Sequence, residues 1–336
     1  MTTLPVRKVG PFHVSAIGLG CMGLSHGYDV APSPEDAGRL LHAALDLGVT
    51  FFDSAALYGG GNNEVLIADT ILHRKSEFTL ASKCVLGIVA GKRIFDGSPE
   101  AVRQSVEESL VRLRTDHIDL MYLHRLDKRV PVEESMGALV RLKEAGKIGA
   151  IGLSEMSAET IRRAHAVHPI AAVQSEYSPV VRNPEVAVLE TCRALGIAFV
   201  AFSPVARGLL AGAVHNDIYA AGDIRAAMPR FTEPNLAHNL HATAAFGALA
   251  AEAGMTSAQL SLAWVLSRGE HVVPIPGTRS VAHLEEDLAA ATMTLSPDIL
   301  ARIDAIFAKG AIRGARYAAK MQAQIDTEIM PDEELA

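Results

Sequence analysis

Residues 48–59 read GVTFFDSAALYG. The run at 50–53 has the β-branched and aromatic composition of a short buried strand, and it ends in Asp53. Tyr58 follows in the next loop. A carboxylic acid at the end of a buried strand, with a phenol five residues later, places two titratable groups at the edge of a core. This stretch is therefore the first candidate for a functional site.

Two further runs have the same form. They read FTLASK at 78–83 and IDLMYLH at 118–124, and they end in Lys83 and His124. If the three runs are successive parallel strands, their C-terminal ends meet at one face of a sheet or barrel, where α/β enzymes carry their chemistry. We therefore expect the acid, the phenol, the amine and the imidazole to lie together.

Short apolar runs alternate with helix-length amphipathic segments along most of the chain. The candidate strands are 16–19, 50–53, 78–83, 118–124, 150–154, 171–175, 197–203 and 272–275. Between them, apolar residues recur at three- and four-residue steps, as at 99–114 and 133–147. Eight strands with intervening helices and no flexible linker predict a single (β/α)₈ TIM barrel. A doubly wound open sheet is the alternative, because periodicity does not reveal closure.

The segments outside this alternation complete the expected architecture. Residues 6–14 are expected to form a short hairpin that closes the barrel floor, and a long loop is expected after strand 7, at 204–238. We expect one domain over 1–336, with its core at about 4–307 and a C-terminal tail at 308–336. The acidic end of that tail, at 331–335, is expected to be frayed.

The composition narrows the class of protein. The 336 residues carry a formal net charge of −7 and are 49% hydrophobic, so a large core is available and nothing favours nucleic-acid binding. No apolar run is long enough for a membrane span, and the N-terminus lacks a secretory h-region. The three cysteines form no Cys-x-x-Cys pair. These features predict a soluble protein of the cytoplasm.

The four residues at the strand ends suit the reduction of a carbonyl group. A hydride acceptor needs a proton on its oxygen as the hydride arrives, and Tyr58 is the candidate donor. We expect the ammonium of Lys83 to lower the pKa of Tyr58, and Asp53 to hold that ammonium. His124 is expected to donate a hydrogen bond to the carbonyl oxygen.

These residues belong to motifs that recur in order along nearly the whole chain, about 4–307. They are residues 48–59, Ser82-Lys83, Leu123-His124, IGLS at 151–154, QSEYS at 174–178, FSP at 202–204 and PIPGTR at 274–279. In this order the sequence resembles the aldo-keto reductase family. The resemblance implies that Tyr58 donates the proton, that Lys83 tunes it, that Asp53 pairs with Lys83 and that His124 orients the carbonyl.

The resemblance also implies NADPH, bound extended across the barrel mouth without a Rossmann domain. Ser154 and Gln174 would bind the nicotinamide carboxamide, and Tyr177 would stack under the ring. The residues implied at the pyrophosphate are Ser203, Pro204, Arg207, Gly208 and Leu209. Those implied at the 2′-phosphate and adenosine are Gly277, Thr278, Arg279, His283, Glu286 and Asp287. A guanidinium suits a phosphate dianion, which favours NADPH over NADH.

Three positions depart from the family pattern. Glu155 stands where many relatives carry Asn, Ser280 and His283 stand where basic or amide residues are frequent, and Asp287 replaces a frequent Asn. Glu155, together with GLGCMGLS at 18–25 and MPRF at 228–231, resembles one branch of the family. That branch contains reductases of aldehydes, quinone-like carbonyls and pyridoxal.

A small-molecule carbonyl is therefore the expected substrate. Five side chains are expected to form an apolar pocket for aromatic or medium-chain carbonyls: Met22, Tyr28, Ile88, Phe95 and Met228. The sequence leaves the individual substrate and the oligomeric state open.

Other functions compete with this prediction. The chain could instead be a redox-sensing or regulatory subunit that binds NADPH with slow turnover, or a metal-dependent barrel hydrolase, although no metal-ligand spacing is evident. GLGCMG at 18–23 fits the dinucleotide pattern G-x-G-x-x-G. No helix is expected to begin there, so these glycines are expected to form a tight turn after the first barrel strand.

Overall fold

The computed structural model describes residues 4–89, 92–331 and 333–335, and in these ranges eight parallel strands form one sheet. The strands are β3 (Leu19–Gly20), β4 (Phe51–Asp53), β5 (Thr79–Cys84), β8 (Ile118–Leu123), β9 (Ile148–Ser154), β10 (Ala172–Glu176), β11 (Ala198–Phe202) and β12 (Val272–Ile275). They lie side by side in the order in which they occur along the chain. Every predicted strand coincides with or overlaps one of them.

The sheet closes into a barrel at the seam between β3 and β12. The backbone N–H of Gly18 donates to the carbonyl of Pro274 at 3.0 Å, and that of Gly20 donates to Pro276 at 2.9 Å. A Cβ at Gly20 would lie 2.9 Å from the carbonyl oxygen of Ile275, so the close approach of the two strands requires glycine. The (β/α)₈ prediction is confirmed, and the open-sheet alternative is wrong. The two glycines of the G-x-G pattern, Gly18 and Gly20, therefore lie at this seam, where their backbones pair with β12 and the segment after it.

The barrel floor is formed by an antiparallel hairpin of β1 (Val6–Val9) and β2 (Phe12–Ser15), as predicted. Val9 and Val14 join one hydrophobic cluster with the axis-facing side chains of the strands. A second antiparallel pair, β6 (Leu86–Val89) and β7 (Lys92–Phe95), follows β5. It lies at the opposite end of the barrel from the hairpin, because it continues from the C-terminal end of a barrel strand.

Helices fill the connections between strands. They are α1 (Pro34–Asp46), α2 (Asn62–Thr70), α3 (Pro99–Leu113), α4 (Val132–Glu144), α5 (Ala158–Val167), α6 (Val188–Leu195), α7 (Asn235–Glu252), α8 (Ser257–Leu266), α9 (Val281–Ala289), α10 (Pro297–Ile306) and α11 (Ala319–Gln322). The side chain of Ser98 caps α3 by accepting a hydrogen bond from the backbone of Ala101, as the Ser-Pro signal predicts. None of the helices in the described ranges is long and apolar enough to cross a membrane.

Strand alternation decides which side chains face the barrel axis. In β5, Ala81 belongs to the cluster on the axis, whereas Leu80 and Cys84 belong to the layer between strands and helices. Since successive side chains point to opposite faces, Lys83 faces the axis with Ala81. The same two-residue period places Ala150, Ala172 and Val200 on the axis in β9, β10 and β11.

Candidate active site

The four residues expected at the strand ends do lie together. The ammonium of Lys83 donates hydrogen bonds to the Oδ1 of Asp53, to the hydroxyl oxygen of Tyr58 at 3.1 Å and to the carbonyl of Ser54 at 2.8 Å. Asp53 is 2% exposed, Lys83 0% and Tyr58 9%. Lys83 therefore bridges the carboxylate and the phenol in a site that is almost closed to water.

His124 stands across Tyr58 from this bridge. The two rings are nearly perpendicular, with centroids 6.0 Å apart. The backbone carbonyl of His124 accepts a hydrogen bond from Arg125 at 2.6 Å, which fixes the end of β8. The Nδ1 of the imidazole has no hydrogen-bond partner among the described residues. The ring thus keeps hydrogen-bonding capacity that the protein itself does not use.

The pKa of Tyr58 differs from the sequence-based expectation. Burial raises the pKa of the phenol above its ordinary value, and the ammonium of Lys83 opposes that rise without cancelling it. Lys83 thus acts in the expected direction, but the net pKa of Tyr58 is raised, because burial outweighs the effect of the ammonium. The physical consequence is that Tyr58 carries its proton at neutral pH.

The other three groups are also shifted by burial. Burial raises the pKa of Asp53, opposed by Lys83 and Gln174. Burial lowers the pKa of Lys83, but the neighbouring Asp53 carboxylate and Tyr58 hydroxyl raise it more. Burial, with the positive charges of Arg125 and Lys83, holds the pKa of His124 well below its usual range. The imidazole is therefore neutral at neutral pH, and the ammonium is charged.

Two of the residues expected at the carboxamide face the axis beside this site. Ser154 ends β9, and its hydroxyl accepts a hydrogen bond from Arg125 at 3.2 Å. Gln174 lies in β10, and its amide nitrogen donates to the Oδ2 of Asp53 at 2.7 Å. Both side chains are buried. A hydroxyl and an amide that converge next to the acid fit the donors and acceptors of a carboxamide.

Tyr177 does not lie where the resemblance placed it. Its ring is fully buried between strand and helices, with its centroid 5.6 Å from that of Phe199 and 5.2 Å from that of Trp264. Its hydroxyl donates to Glu185 at 2.7 Å. The residue lies three positions beyond Gln174, and the two-residue period turns it away from the axis. No face of the ring is available for stacking, so that expectation is wrong.

The ring that does face the mouth is Phe202, at the end of β11. It packs against the axis cluster above Val200 and remains partly exposed, and the guanidinium of Arg207 lies 5.9 Å from its centroid. Sequence reasoning missed it. The signal was present, because Val200 and Phe202 share one face of the strand and the Ser203-Pro204 pair follows directly.

Arg279 projects from the loop after β12 and is 37% exposed on its side chain, with an ion pair to Asp29 at 3.3 Å. Its guanidinium also donates to the carbonyl of Val30 at 2.7 Å. Thr278 accepts a hydrogen bond from the backbone of Ser280 at 3.1 Å. An exposed guanidinium in this loop fits a phosphate, and Asp29 is the group with which a phosphate would compete.

Asp287 lies in α9 close to this loop and is buried, while Glu286 is partly exposed and His283 and Gly277 are exposed. Burial and the negative charge of Glu286 raise the pKa of Asp287 to about 7. The carboxyl is therefore largely protonated below pH 7. In that form it has a hydrogen-bond donor, as the Asn of the family pattern does.

The loop after β11 meets the barrel mouth through its backbone. Ser203 has a positive φ of 50° and is partly exposed, while the side chains of Pro204 and Leu209 are buried. The carbonyl of Pro204 accepts a hydrogen bond from Ser261 at 2.6 Å, and Gly208 has a φ of 90°. The loop is held in place by these contacts. Its backbone N–H groups, rather than the buried side chains, are the groups that could bind a pyrophosphate.

Arg207, expected at the pyrophosphate, already has protein partners. Its guanidinium donates to Glu176 and to the hydroxyl of Tyr317, both at 3.1 Å, and to the hydroxyl of Tyr28 at 3.3 Å. The Glu176 carboxylate and the two phenols hold its pKa well above the ordinary value, despite burial. Arg207 therefore connects the loop after β3, the end of β10 and the C-terminal tail at the barrel mouth.

The C-terminal tail is ordered where the structure describes it, so the expectation of fraying is wrong at 333–335. Glu155, fully buried, accepts hydrogen bonds from Arg316 at 3.1 Å and from Thr327 at 3.0 Å, and its other oxygen accepts from the backbone of Glu176 at 2.7 Å. The carboxylate of Glu333 accepts from Asn183. The departure from the family pattern at position 155 is thus an anchor for the tail.

The expected apolar pocket is partly corrected. Met228 is buried in the core between strands and helices, so it does not line a pocket. Tyr28 and Met22 belong to the loop after β3 and are partly exposed, as is Phe95 in β7. The side chain of Ile88 lies outside the described residues. In the part of the chain that is described, no cluster of His, Cys, Asp and Glu is arranged to hold a metal ion.

The chain is similar to known proteins over nearly its whole length. The model of the Aldo/keto reductase family matches residues 16–308. An NADP(+) aldo-keto reductase of Schizosaccharomyces pombe, yakc, is 41% identical over 98% of this chain and 99% of its own. The aldo-keto reductase str7 of Strobilurus tenacellus is 39% identical over the same shares of the two chains.

Solved structures show the same fold. A glycerol dehydrogenase from Gluconobacter oxydans superposes with a TM-score of 0.82 at 27% identity, over 100% of both chains. An aldo-keto reductase from Bacillus halodurans superposes with a TM-score of 0.72 at 25% identity, over 92% of this chain and 98% of its own. With a family model that covers most of the chain, the protein belongs to the aldo/keto reductase family and is an oxidoreductase.

Proposed function

We propose that this protein reduces aldehydes and ketones to alcohols with NADPH, and that Tyr58 is the proton donor. The observation that carries the proposal is the buried bridge in which Lys83 contacts both Asp53 and the hydroxyl of Tyr58. When bound, NADPH would supply a hydride for the carbonyl carbon. The residues of the chain supply the proton, orient the carbonyl and exclude water.

The proton transfer follows from the charges at the site. A phenol that is protonated at neutral pH can donate to the carbonyl oxygen as negative charge develops there. The tyrosinate that remains is stabilised by the ammonium of Lys83, whose nitrogen lies 3.1 Å from the phenol oxygen. Neutral His124 donates a hydrogen bond to the same carbonyl oxygen, which holds the carbonyl in line.

The cofactor is proposed to lie across the mouth from β9 to α9. Ser154 and Gln174 would bind the carboxamide and Phe202 would stack on the ring, in place of Tyr177. Backbone groups from Ser203 to Leu209 would meet the pyrophosphate. The residues proposed for the 2′-phosphate and adenosine are Gly277, Thr278, Arg279, His283, Glu286 and Asp287.

Phe202→Ala is expected to raise the Kd of NADPH about 3- to 10-fold, because a ring contact on the nicotinamide is lost. Tyr177→Phe removes only the hydroxyl that donates to Glu185 and should leave this Kd unchanged. Titration of NADPH fluorescence measures both. Equal weakening by the two variants would contradict the assignment of Phe202.

Arg279→Ala is expected to raise the Kd of NADPH about 10- to 100-fold and to leave that of NADH nearly unchanged, because a charge-assisted bond to the 2′-phosphate is lost. Asp29→Asn should act in the opposite direction, since it frees the guanidinium from its ion pair. Fluorescence titration with both nucleotides gives the comparison. A parallel loss of NADH affinity in Arg279→Ala would contradict a role at the 2′-phosphate.

Asp287→Asn is expected to stabilise the protein increasingly as pH rises. In the folded chain the pKa is about 7, against an ordinary value of 3.8, so the folded state loses stability as pH rises from about 4 through 7. Asparagine does not ionise, so the variant does not lose stability in this pH range. The gain in Tm, measured by calorimetry, should therefore be small at pH 5 and larger at pH 8, whereas Asp298→Asn on the exposed surface should show no such trend.

The proposed activity is tested by the loss of nicotinamide absorbance with purified protein, NADPH and four carbonyls. The panel is an aromatic aldehyde, a dicarbonyl, pyridoxal and a quinone. Rapid loss with NADPH supports the reductase and identifies its substrate class. Binding of NADPH without turnover on any of them would instead support a redox-sensing or regulatory subunit.

A further inference from the structure

Gln174 connects two parts of the site that lie on different strands. Its amide nitrogen donates to the Oδ2 of Asp53 at 2.7 Å, although the two residues are 121 positions apart in sequence. The Oδ1 of the same carboxylate accepts from Lys83. Gln174 and Asp53 are each 2% exposed, so water does not replace either contact. Both oxygens of the buried carboxylate are thus satisfied by side chains.

This arrangement bears on the state of the proton donor. A buried carboxylate is costly unless it is paired and hydrogen-bonded. Burial already raises the pKa of Asp53, and both Lys83 and Gln174 act against that rise. If Asp53 became protonated, the ammonium of Lys83 would lose its counter-charge in a site with no solvent. Lys83 is the group that supports the tyrosinate of Tyr58.

We propose that Gln174 is a positioning residue for the proton donor, in addition to a cofactor contact. Its amide nitrogen keeps Asp53 ionised and facing Lys83, and the same side chain is the proposed contact of the cofactor's carboxamide. A single side chain thereby links binding of the nicotinamide to the ability of Tyr58 to donate its proton. This inference rests on the proposed function for its catalytic consequence, but the contact with Asp53 is independent of it.

Several titratable groups lie around these contacts, and the pKa of each would respond to a change in the protonation of Asp53. Those acting on Asp53 or influenced by it are Lys83, Tyr58, Tyr122 and Cys21. Those around Tyr58 and His124 include Arg125, on the end of β8, and His26, in the loop after β3. The Asp53 carboxyl itself must therefore be followed directly.

The first experiment follows that carboxyl in cofactor-free protein. Nuclear magnetic resonance of ¹³C-labelled aspartate is recorded against pH for the parent and for Gln174→Leu, and Asp53→Asn identifies the resonance. We expect the pKa of Asp53 to rise by about 1–2 units in Gln174→Leu, because one hydrogen bond to the charged form is lost. Ser154→Ala is the matched control, since it removes a carboxamide contact but touches no atom of Asp53. It should leave the titration unchanged.

The second experiment measures kcat for carbonyl reduction against pH, together with the Kd of NADPH. In Gln174→Leu, the acid limb of the profile should move to higher pH by the same amount as the Asp53 titration, and kcat at neutral pH should fall about tenfold or more. Ser154→Ala should raise the Kd of NADPH without moving the acid limb. Should Gln174→Leu fail to fold, Gln174→Asn, whose amide is one methylene shorter, is measured in the same way.

The outcomes separate this inference from the proposed function. If Gln174→Leu only weakens NADPH binding, as Ser154→Ala does, and the Asp53 titration stays in place, Gln174 is a cofactor contact alone and the inference is overturned. If the parent shows no turnover but the Asp53 titration moves in Gln174→Leu, the proposed function fails, and the effect of Gln174 on Asp53 stands without its catalytic consequence. Movement of both the titration and the acid limb supports both.

Discussion

Tyr58→Phe is expected to lower kcat for carbonyl reduction by about 10²- to 10⁴-fold, the range ascribed to a well-placed general acid. The hydroxyl that is removed lies 3.1 Å from the ammonium of Lys83, and it is the phenol oxygen to which that ammonium donates in the described part of the chain. The ring remains and keeps its place against His124. The affinity for NADPH should therefore change little.

Tyr177→Phe is the matched control. Tyr177 is fully buried between strand and helices, away from the axis, and its hydroxyl donates to Glu185. The same chemical change there should leave kcat within about threefold of the parent. Steady-state rates and NADPH titrations on both variants provide the test. A Tyr58→Phe variant that keeps a tenth or more of the parental kcat would remove Tyr58 from its role.

Glu155→Ala is expected to destabilise the folded protein by about 3–5 kcal/mol, because it leaves the guanidinium of Arg316 buried without its carboxylate. Glu155 is 0% exposed and Arg316 2% on their side chains. The hydroxyl of Thr327 and the backbone N–H of Glu176 lose an acceptor as well. The free energy of unfolding from chemical denaturation is the measurement. The tail should also become accessible to proteases.

Glu190→Ala is the control for this second variant. Its ion pair with Arg193 is exposed, with 66% of each side chain accessible, and such pairs add little to stability. It should leave the unfolding curve nearly unchanged. If Glu155→Ala behaves like Glu190→Ala, the buried contact does not anchor the tail. Glu155→Gln, which retains the shape but loses the charge, is expected to lie between the two.

Alternation along single strands explains both a success and an error of the sequence analysis. The runs at 78–83 and 118–124 end in side chains that meet at the barrel mouth, as expected, and in β5 the period of two turns Cys84 to the helices. The same rule places Tyr177 on the face opposite Gln174, and Phe202 on the face of Val200. The stacking role was transferred to Tyr177 by resemblance, and the local pattern contradicts it.

The sequence by itself determined the strands, their parallel succession and the end of the barrel at which Asp53, Lys83 and His124 meet. These follow from short-range pattern, because a strand's composition and its two-residue period are local properties. Tyr58 was also found locally, since it lies in the loop directly after β4. The carboxamide candidates Ser154 and Gln174 came instead from the resemblance to the family, not from the local pattern.

Only the tertiary structure decided the contacts between distant segments and the sign of the pKa shift at the proton donor. Glu155 meets Arg316 across 161 positions, and Gln174 meets Asp53 across 121. No local pattern encodes such pairs. The pKa of Tyr58 depends on how completely water is excluded relative to the strength of one ammonium contact, and that balance exists only when strands, loops and tail have closed around the phenol.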